Sequence, residues 1–519
     1  MIRSHQAGAS INGHQAAQHD YDIIIVGGGP VGLTLANLLG IRDLRILVVE
    51  KETQLPDQPR AVSLDDESLR IWQQCGLIED ILPFVAQGEE GDCVFTYRSY
   101  DNKPIFSLQQ HGRPYGYARG NVFLFHRVLE VLLAGLARFA RTEYRSGVEM
   151  TGFEQQREGV VVAVKDISGR EQHYTSAYMV ACDGGRSTVR AQLDIPLDGT
   201  AYQESWLIVD TFSPSLADQP LNEGVEVWCD AHCPTATIPL PGGYRRWEFL
   251  LRENSLSASE LDASDKHIHE LIVRRKPLGD AQLRRRLIHT YKAQVARKYR
   301  SDRVFLAGDA AHLSPPFAGQ GMATGLRDAA NLAWKLAHVC LGLADADGLL
   351  ASYENERRPH QIKMLKLARR MGQMMMPKNR LQAIMIRQFF SIAGRIPAIR
   401  RMMEIRGQSV TPVYAFGDLK PGSRAGYLLP QPFLADGRLM DELLGSDYTI
   451  IGFSSPPEEV LSAEERALWE KRESIYIQIS PEGNTAAAYR EFDCWLDGCD
   501  NRILIVRPDR FIAEDRRLS

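Results

Sequence analysis

The sequence predicts an α/β protein of more than one domain, and three observations lead to this prediction. An apolar run over residues 21–26 is followed at once by a glycine-rich turn and a helix pattern, which is typical of a strand buried in a parallel sheet. Residues 200–252 contain short apolar runs interrupted by proline and glycine, which favours an antiparallel sheet. With 519 residues, the chain is too long for a single hydrophobic core.

Composition and charge exclude several classes of protein. Charged residues make up 24% and hydrophobic residues 44% of the chain, a balance typical of globular proteins rather than of disordered or coiled-coil chains. The formal net charge of −4 provides no basic field for binding nucleic acid. We expect no membrane span, because no apolar run is long enough. Residues 1–19 are polar, and we expect a flexible tail there rather than a signal peptide.

The cysteines indicate the redox compartment. The chain has 8 of them, scattered and without a C-x-x-C pair, and no two histidines stand at the spacing of a zinc site. Unpaired cysteines persist in reducing compartments. We therefore expect free thiols, no metal site and a cytoplasmic location.

The turn at residues 27–32 has the spacing of a dinucleotide-binding site. Gly27, Gly29 and Gly32 form G-x-G-x-x-G between a strand and a helix, and Glu50 ends the next predicted strand. The first glycine permits the tight turn, the second lets the backbone approach a pyrophosphate, and the third allows close packing of helix on strand. The helix N-terminus attracts phosphate, and Glu50 can accept a hydrogen bond from a ribose hydroxyl. The predicted cofactor contacts here are Gly27, Gly29, Pro30, Val31, Gly32, Glu50 and Lys51.

Local patterns assign the elements that follow. Further strands are predicted over residues 159–165, 178–181 and 303–307, and helices over residues 259–300, 319–341 and 363–406. The last of these helical stretches is basic and rich in methionine. Proline and glycine over residues 411–426 mark a boundary. Strand and helix patterns alternate after it, which predicts a separate small α/β domain.

Two later segments resemble motifs of one enzyme family. The first is ACDGGRSTVR at residues 181–190, and the second is RVFLAGDAAH at residues 303–312, continued by SPPFAGQGM at residues 314–322. Together with the glycine-rich turn, and in this order, they resemble the flavoprotein aromatic hydroxylases. These are single-component FAD monooxygenases related to 4-hydroxybenzoate and phenol hydroxylases. The resemblance covers roughly residues 20–400 and, more weakly, the C-terminal domain.

Within this family the chain is most similar to the 3-(3-hydroxyphenyl)propionate hydroxylases. The segments that carry this similarity are Pro59–Val62, Asp65–Glu67, Arg246–Phe249 and Gly325–Leu336. Only one G-x-G-x-x-G is present, so we expect no separate NAD(P)H-binding domain.

The resemblance implies roles for residues in the two motifs. Asp183 and Gly184 resemble the segment that touches FAD and NAD(P)H, and Asp309, after Gly308, resembles the carboxylate that binds a ribityl hydroxyl. Residues 314–322, here called the flavin loop, resemble the segment under the isoalloxazine ring. Its N–H groups and the following helix N-terminus can stabilise negative charge on the reduced ring. The implied contacts also include Arg60, at the FAD phosphates, and Pro316, Gly319, Gln320, Gly321 and Met322.

Two positions depart from the family pattern. His126 precedes Arg127 where the family often has Gln-Pro, and Ala323 stands where it often has Asn. His126 remains a candidate cofactor contact, with a purely structural histidine as the alternative. Backbone N–H contacts do not depend on the side chain of Ala323, so FAD binding is still expected, while the orientation of the ring edge is left open.

The resemblance implies a Rossmann-like FAD-binding domain interleaved with an antiparallel-sheet substrate domain. We expect the FAD-binding domain at residues 20–199 and 299–410, with an excursion into the substrate domain at about residues 90–120. The substrate domain is expected at residues 200–298. Residues 411–519 resemble the thioredoxin-like tail of the phenol hydroxylase subgroup. That tail lacks C-x-x-C, so we expect no redox role for it.

The implied activity is hydroxylation of a phenolic substrate. In this family NAD(P)H reduces FAD, O₂ forms a flavin C4a-hydroperoxide, and one oxygen atom passes to the ring. The expected substrate is 3-(3-hydroxyphenyl)propionate or a similar meta-substituted phenol, held between the sheet of residues 200–252 and the flavin loop. A base or hydrogen-bond acceptor is expected near the phenol. Candidate pocket residues, each with a structural role as the alternative, are His111, Tyr115, Tyr117 and His232. Arg245 and Arg246 could pair with a substrate carboxylate, with surface arginines on a strand as the equal alternative.

Other functions remain open at this point. The same scaffold could oxidise a polyketide or quinolone, by hydroxylation, epoxidation or Baeyer–Villiger insertion. A non-catalytic FAD-binding sensor and a membrane quinone hydroxylase anchored through residues 363–406 are further alternatives. A homodimer supported by the C-terminal domain is also expected.

Overall fold

The computed structural model describes residues 19–56, 61–88, 94–109, 111–219, 221, 223–252, 265–393, 395–396, 413–414 and 423–518. The strands are β1 (Tyr21–Val26), β2 (Ile46–Glu50), β3 (Ser63–Leu64), β4 (Val85–Gln87), β5 (Val94–Arg98), β6 (Pro104–Gln109), β7 (Asn121–Phe123), β8 (Thr142–Ser146), β9 (Val148–Gln155), β10 (Val160–Asp166), β11 (Glu171–Ala181), β12 (Leu197–Phe212), β13 (Val225–Trp228), β14 (Thr235–Pro239), β15 (Tyr244–Leu251), β16 (Gln282–Ala296), β17 (Arg300–Ser301), β18 (Val304–Leu306), β19 (His312–Leu313), β20 (Thr449–Phe453), β21 (Ile475–Ile479), β22 (Arg502–Val506) and β23 (Ile512–Arg517). The α-helices are α1 (Pro30–Gly40), α2 (Asp66–Gln74), α3 (Ile78–Ile81), α4 (Phe125–Gly135), α5 (Thr188–Gln192), α6 (Asp265–Val273), α7 (Gly321–Cys340), α8 (Ala346–Met375), α9 (Arg380–Ala393), α10 (Pro457–Val460), α11 (Ala463–Lys471) and α12 (Ala486–Leu496).

Parallel strands form the centre of the first sheet, in the order β18-β11-β1-β2-β8. The continuous apolar run of β1 explains its central place, because Ile23, Ile24 and Ile25 are fully buried and both faces of a parallel sheet are covered. Helix α1 packs against α4 and α7. The hairpin of β9 and β10 extends the sheet through antiparallel pairing with β11. The strand–turn–helix–strand unit read from the sequence is therefore present.

The second sheet has the order β19-β16-β12-β15-β14-β13-β5-β6. Its neighbours are antiparallel except for β13 and β5, which run parallel. One face packs against Ile268 and Ile272 of α6. The other face carries Trp206 and packs against Phe317 of the flavin loop and Met371 of α8. The sheet thus brings a mainly apolar wall to the flavin loop.

Residues 259–264 lie outside the described residues, and over residues 265–300 the predicted helix is largely wrong. The structure has a short helix, α6, and then the long strand β16 at Gln282–Ala296. β16 pairs with β12 along most of its length, while on its other side only β19 covers its far end. Arg284, Arg286 and Lys292 of this nearly free edge are exposed, whereas Arg285 contacts the buried Asp210. These charges gave the segment its helix-like pattern.

The C-terminal part forms a four-stranded sheet in the order β21-β20-β22-β23. β20 and β21 are parallel, and the other two pairs are antiparallel. The thioredoxin-like assignment of this domain and the domain boundaries stay predictions. Residues 1–18 of the expected tail, residues 397–406 of the methionine-rich stretch and most of the expected boundary at 411–426 lie outside the described residues.

Buried ion pairs join this C-terminal sheet to the helices of the first part. Arg507, after β22, donates to both carboxylate oxygens of Glu356 on α8, at 2.8 and 2.9 Å. Lys335 of α7 donates to the same carboxylate at 2.9 Å, and Asn331 of α7 reaches Asp509 at 3.1 Å. The C-terminal domain is therefore bonded to the helix that begins at the flavin loop.

None of the described helices is long and apolar enough to cross a membrane. Across the part of the chain that the structure describes, no group of three or more His, Cys, Asp or Glu side chains is arranged to hold a metal ion. The described cysteines are unpaired thiols.

Candidate active site

The turn after β1 has the geometry that its glycines predict. Gly27 has φ +110°, and a Cβ there would lie 2.3 Å from the carbonyl oxygen of Cys182. A Cβ on Gly32 would lie 2.0 Å from the carbonyl oxygen of Gly27, so no side chain fits at either position. A Cβ on Gly29, in contrast, would meet no described atom within 4 Å. The middle glycine therefore borders open space at the N-terminus of α1, where a pyrophosphate would be held.

Glu50 ends β2 and closes the turn from the other side. Its carboxylate accepts hydrogen bonds from the N–H of Gly28 at 2.6 Å and of Glu52 at 3.0 Å. Lys51 follows it and is exposed. Pro30 is the first residue of α1, where its missing N–H costs nothing.

Val31 fixes the position of α1 against α7. A Cβ on Gly308 would lie 2.9 Å from Cγ2 of Val31, and a Cβ on Gly325 would lie 2.6 Å from the same atom. The valine thus lies against two glycines, one after β18 and one in α7. This close packing places the glycine-rich turn beside the second family motif.

Asp183 lies just after β11 and has an unused acceptor. Its Oδ2 accepts from the N–H of Val189 at 3.2 Å, whereas its buried Oδ1 receives no hydrogen bond from any described residue. Burial raises the pKa of this carboxyl group, and hydrogen bonds from Ser187 and nearby backbone oppose the shift. Gly184 beside it has φ +80° and borders open space. A hydroxyl-bearing ligand such as a dinucleotide ribose would satisfy the free oxygen.

The turn that carries Asp309 is held by a buried carboxylate. Gly308 donates its N–H to Asp328 at 3.0 Å. Asp328 is also bonded to His312 Nε2 at 2.8 Å and accepts from Nε of Arg357 at 2.8 Å. Burial alone would raise the pKa of Asp328, but the charges of His312 and Arg357 hold it below its usual value. Asp309 itself is exposed, so its carboxylate is accessible to a ligand.

The flavin loop is clamped to α2. A short turn at Pro316–Ala318 is followed by Gly319 with φ +62°, and α7 begins at Gly321. Arg327 donates to Gln320 Oε1 at 3.0 Å and to Glu67 at 2.6 Å, and it also pairs with Asp65. The two carboxylates hold the pKa of the guanidinium above its ordinary value despite its burial. The loop therefore presents the N-terminus of α7, with its partial positive charge, in a fixed orientation.

For two other predicted cofactor contacts, the structure gives only their position and burial. His126 lies half-buried in the first turn of α4, and Met322 is half-buried in the first turn of α7. Arg60 lies outside the described residues. Apart from His126, the proposed FAD contacts that the structure describes lie in three turns, at residues 27–32, 183–184 and 308–322, or next to the first of them, as Glu50 and Lys51 do.

Most of the predicted pocket residues lie elsewhere, which corrects their assignment. His111 and His232 are exposed. Tyr115 lies beneath Arg70, near the Tyr414 cluster. Tyr117 donates to Gln73 at 3.1 Å, and the same oxygen of Gln73 accepts from Gln431 at 2.8 Å, so both tyrosines face the C-terminal domain. These candidates were chosen by residue type, and all four lie in loops between strands.

The two arginines of β15 point to opposite faces of their sheet. Arg245 pairs with Glu223 near the surface. Arg246 is buried on the face that meets the flavin loop and donates to Asp210 at 2.8 and 3.0 Å. Because Arg246 is already paired with the carboxylate of Asp210, its predicted pairing with a substrate carboxylate is not supported.

The sequence analysis did not propose Trp206, Tyr291 or Glu248 as site residues, although all three lie on the sheet face that meets the flavin loop. The ring centroids of Trp206 and Phe317 are 5.7 Å apart, and those of Trp206 and Tyr291 are 6.0 Å apart. Glu248, on the same face, is buried. Glu248 belongs to the Arg246–Phe249 segment of the sequence analysis. Because side chains alternate along a strand, Glu248 lies on the same face of the sheet as Arg246.

The residues present fit a flavin dinucleotide. The glycine turn leaves room for a pyrophosphate, Asp183 has an unused carboxylate oxygen, Asp309 is exposed, and the flavin loop presents a helix N-terminus. These residues could thus hold FAD.

Comparison with known proteins agrees with this geometry. Residues 20–368 match the family model described as FAD binding domain, and residues 426–517 match the HcaD C-terminal domain. The 3-(3-hydroxy-phenyl)propionate/3-hydroxycinnamic acid hydroxylase of Burkholderia cenocepacia (strain HI2424) is 35% identical over 95% of this chain and 93% of its own. The protein of the same description from Klebsiella pneumoniae (strain 342) is 33% identical over 96% of this chain and 92% of its own.

Solved structures show the same fold. The flavin-dependent monooxygenase PieE, in complex with FAD and substrate, has a TM-score of 0.78 at 20% identity and covers 96% of each chain. Aklavinone-11 hydroxylase with FAD and aklavinone has a TM-score of 0.76 at 21% identity and covers 97% of each chain. The predicted α/β fold class is confirmed by these likenesses. The chain therefore belongs to the family of FAD-dependent aromatic hydroxylases.

Proposed function

We propose that the protein hydroxylates 3-(3-hydroxyphenyl)propionate or a similar meta-substituted phenol, with NADH or NADPH as electron donor and O₂ as oxidant. The observation that carries this proposal is the match of the whole chain to curated hydroxylases of 3-(3-hydroxy-phenyl)propionate and 3-hydroxycinnamic acid, at 35% identity over 95% of the chain. The apolar wall beside the flavin loop supports it, because an aromatic ring is bound by apolar and aromatic side chains.

The residues of this chain would bind FAD, orient it and shield its ring from water. When bound, FAD supplies the redox chemistry and the activation of O₂. Asp183 and Asp309 would accept hydrogen bonds from its hydroxyl groups, and the N-terminus of α1 would hold its phosphates. The N-terminus of α7 would stabilise negative charge on the nearby ring edge. Trp206 and Phe317 exclude water from the space next to the ring.

The test is oxidation of NADH and of NADPH by the FAD-loaded protein in air, with and without 3-(3-hydroxyphenyl)propionate. We expect strong stimulation by the phenol and a product heavier by one oxygen atom in mass spectrometry. Phenylpropionate, which lacks the ring hydroxyl, is the matched control and should not be hydroxylated. Absence of both stimulation and product would reject this substrate, and larger phenols would follow.

A larger aromatic substrate is the second candidate. It is favoured by the fold neighbours, since one of them is named as a complex of aklavinone-11 hydroxylase with its polycyclic ligand. A hydroxylated polycyclic product, without turnover of the small phenol, would select this alternative. A non-catalytic FAD sensor is disfavoured by the relatives, which are named as hydroxylases.

We also propose a homodimer and a cytoplasmic location. Helix α9 leaves the apolar side chains of Leu381, Met385, Phe389 and Ile392 exposed, and a contiguous apolar surface is typical of a contact site. The unpaired thiols of the described cysteines support a reducing compartment. Light scattering of the wild type and of Phe389→Glu tests the dimer, since the charged variant should be monomeric if α9 forms the contact.

A further inference from the structure

The second sheet places a buried glutamate on the face that meets the flavin loop. Strand residues two apart share a face of the sheet. Trp206 of β12 lies opposite Leu250 of β15, and Ile208 of β12 lies opposite Glu248 of β15. Glu248 is therefore on the same face as Trp206 and Leu250. On the other side of β15, Glu248 lies opposite Ala236. Trp206 and Leu250 belong to the cluster that contains Phe317. The side chain of Glu248 is therefore on the wall beside the flavin loop.

The surroundings of Glu248 are well defined. Arg246 and Asp210 lie on the same face and pair with each other. Arg285 of β16 also contacts Asp210, at 3.6 Å. Tyr291 of β16 lies close enough for the charge of Glu248 to raise the pKa of its phenol, in addition to burial. His289 of β16 is also on this face, opposite Trp206 and with its ring 4.9 Å from that of Tyr291. The apolar residues of the wall include Ala236, Ile238, Phe317, Met371 and Met375.

Glu248 has no hydrogen-bond donor among the described residues. The residue is 8% exposed, and neither carboxylate oxygen is among the fully enclosed, unpartnered atoms of the described residues. Burial raises the pKa of Glu248, Arg246 opposes the shift, and Asp210 adds to it. A largely buried carboxylate without a donor is costly. A ligand that donates a hydrogen bond to it would reduce this cost.

We propose that Glu248 accepts the hydrogen bond of the substrate's ring hydroxyl and takes up its proton. This inference rests on the proposed function. The phenol O–H bond breaks, an O–H bond forms on the carboxylate of Glu248, and the electron pair stays on the phenolate oxygen. No electron transfer and no further reactant is needed. The phenolate ring is richer in electrons at its ortho and para carbons, and the proton returns to the oxygen when product is released.

The charges around Glu248 are balanced. Arg246 and Arg285 both contact Asp210, so two cations and the two carboxylates of Asp210 and Glu248 lie on this face. Neither sign of charge is in excess while Glu248 is ionised.

The direct test is the absorbance of a bound nitrophenol, whose phenolate absorbs visible light. In the FAD-loaded wild type we expect the phenolate form at a pH below the pKa of the free nitrophenol. In Glu248→Gln, which keeps the shape but accepts no proton, the bound nitrophenol should stay neutral. Hydroxylation should fall about 100-fold, with flavin content unchanged. Glu248→Asp should restore part of the phenolate signal.

The matched control is Glu226→Gln. Glu226 is a buried glutamate on the opposite face of the same sheet, paired with Arg98 at 2.6 Å. This variant should retain the phenolate absorbance. Glu248→Gln with the phenolate absorbance and rate of the wild type would overturn the role of Glu248 alone. A wild-type enzyme that binds and hydroxylates no phenol would overturn the proposed function as well.

Protein stability provides a readout that does not require turnover. Because burial raises the pKa of Glu248, its ionisation opposes folding as the pH rises above the ordinary carboxyl range. The wild type should therefore lose urea resistance relative to Glu248→Gln as the pH increases from 4.5. Equal pH dependence of the two unfolding midpoints would contradict the buried, unpaired state of this carboxylate.

Discussion

Replacing Asp328 with asparagine should weaken both the fold and the binding of FAD. The carboxylate is 1% exposed and is bonded to Gly308, His312 and Arg357 at 2.8–3.0 Å. Asparagine keeps one acceptor oxygen, but an NH₂ group replaces the second. This NH₂ group is itself a donor and cannot accept the hydrogen bonds that the second oxygen accepted. Arg357 then loses its carboxylate partner inside the protein, and the turn that presents Asp309 loses its anchor.

These contacts set the expected loss in the free energy of unfolding and in FAD affinity. A hydrogen bond to a charged group contributes about 1.5–3 kcal/mol, and removing one partner of a buried ion pair costs about 3–5 kcal/mol. Arg357 keeps two weaker acceptors, the hydroxyl of Tyr414 at 3.2 Å and the carbonyl of Thr324 at 3.1 Å. We therefore expect the free energy of unfolding of the apoprotein to fall by about 3 kcal/mol. FAD affinity should fall at least about tenfold, which corresponds to about 1.4 kcal/mol.

Urea unfolding of the apoprotein and titration with FAD, followed by flavin fluorescence, measure the two effects separately. Asp515→Asn is the matched control, because Asp515 is as deeply buried and pairs with Arg502 at 2.9 Å within the C-terminal sheet. This control should lose stability but bind FAD as the wild type does once folded. The reasoning is refuted if Asp328→Asn unfolds within about 0.5 kcal/mol of the wild type and binds FAD normally.

Three further predictions concern the cofactor turn and the buried ion pairs. Gly29→Val should fold, as judged by circular dichroism, but purify without FAD, because its side chain fills the open space at α1; a yellow, fully loaded variant would contradict this. Glu356→Gln should lower the free energy of unfolding by about 3–5 kcal/mol at pH 7. Lys335→Met should change this free energy little, because burial already disfavours the charged form of Lys335 and lowers its pKa to about 8. Equal losses of the two variants in urea titrations would contradict this difference. Burial opposes ionisation of Glu356, but the charges of Arg507 and Lys335 lower its pKa from 4.5 to about 2. The stability from this carboxylate is therefore present above pH 4.5 and lost as the pH falls towards 2, and Glu356→Gln should lack this part of the acid dependence of unfolding.

The sequence predicted those parts of the fold that depend on local patterns. The apolar run of β1 and the glycine spacing identified the first strand, turn and helix, because burial on both faces and backbone crowding leave a direct mark on residue type. β16 was missed, since the charges of an edge strand with an exposed face resemble those of a solvated helix. Only its long-range pairing with β12 fixes its conformation, and a local pattern does not report such pairing.

The candidate site divides in the same way. The FAD contacts were proposed from motifs, and the structure gathers the described ones around neighbouring turns. The pocket candidates Tyr115 and Tyr117 were proposed by residue type, yet both face the C-terminal domain. Alternation along β15 places Arg246 and Glu248 on one face, but only tertiary packing shows that this face meets Phe317.

Arg507 leaves the ribosome after α7 and α8, yet it neutralises Glu356 on α8 and completes a cluster that includes Lys335 of α7. Until it emerges, the helix that follows the flavin loop lacks this support. We therefore expect the nascent chain to acquire FAD late, although its glycine-rich turn is synthesised first. A translation arrest before Arg507 should leave a nascent polypeptide that retains the flavin poorly.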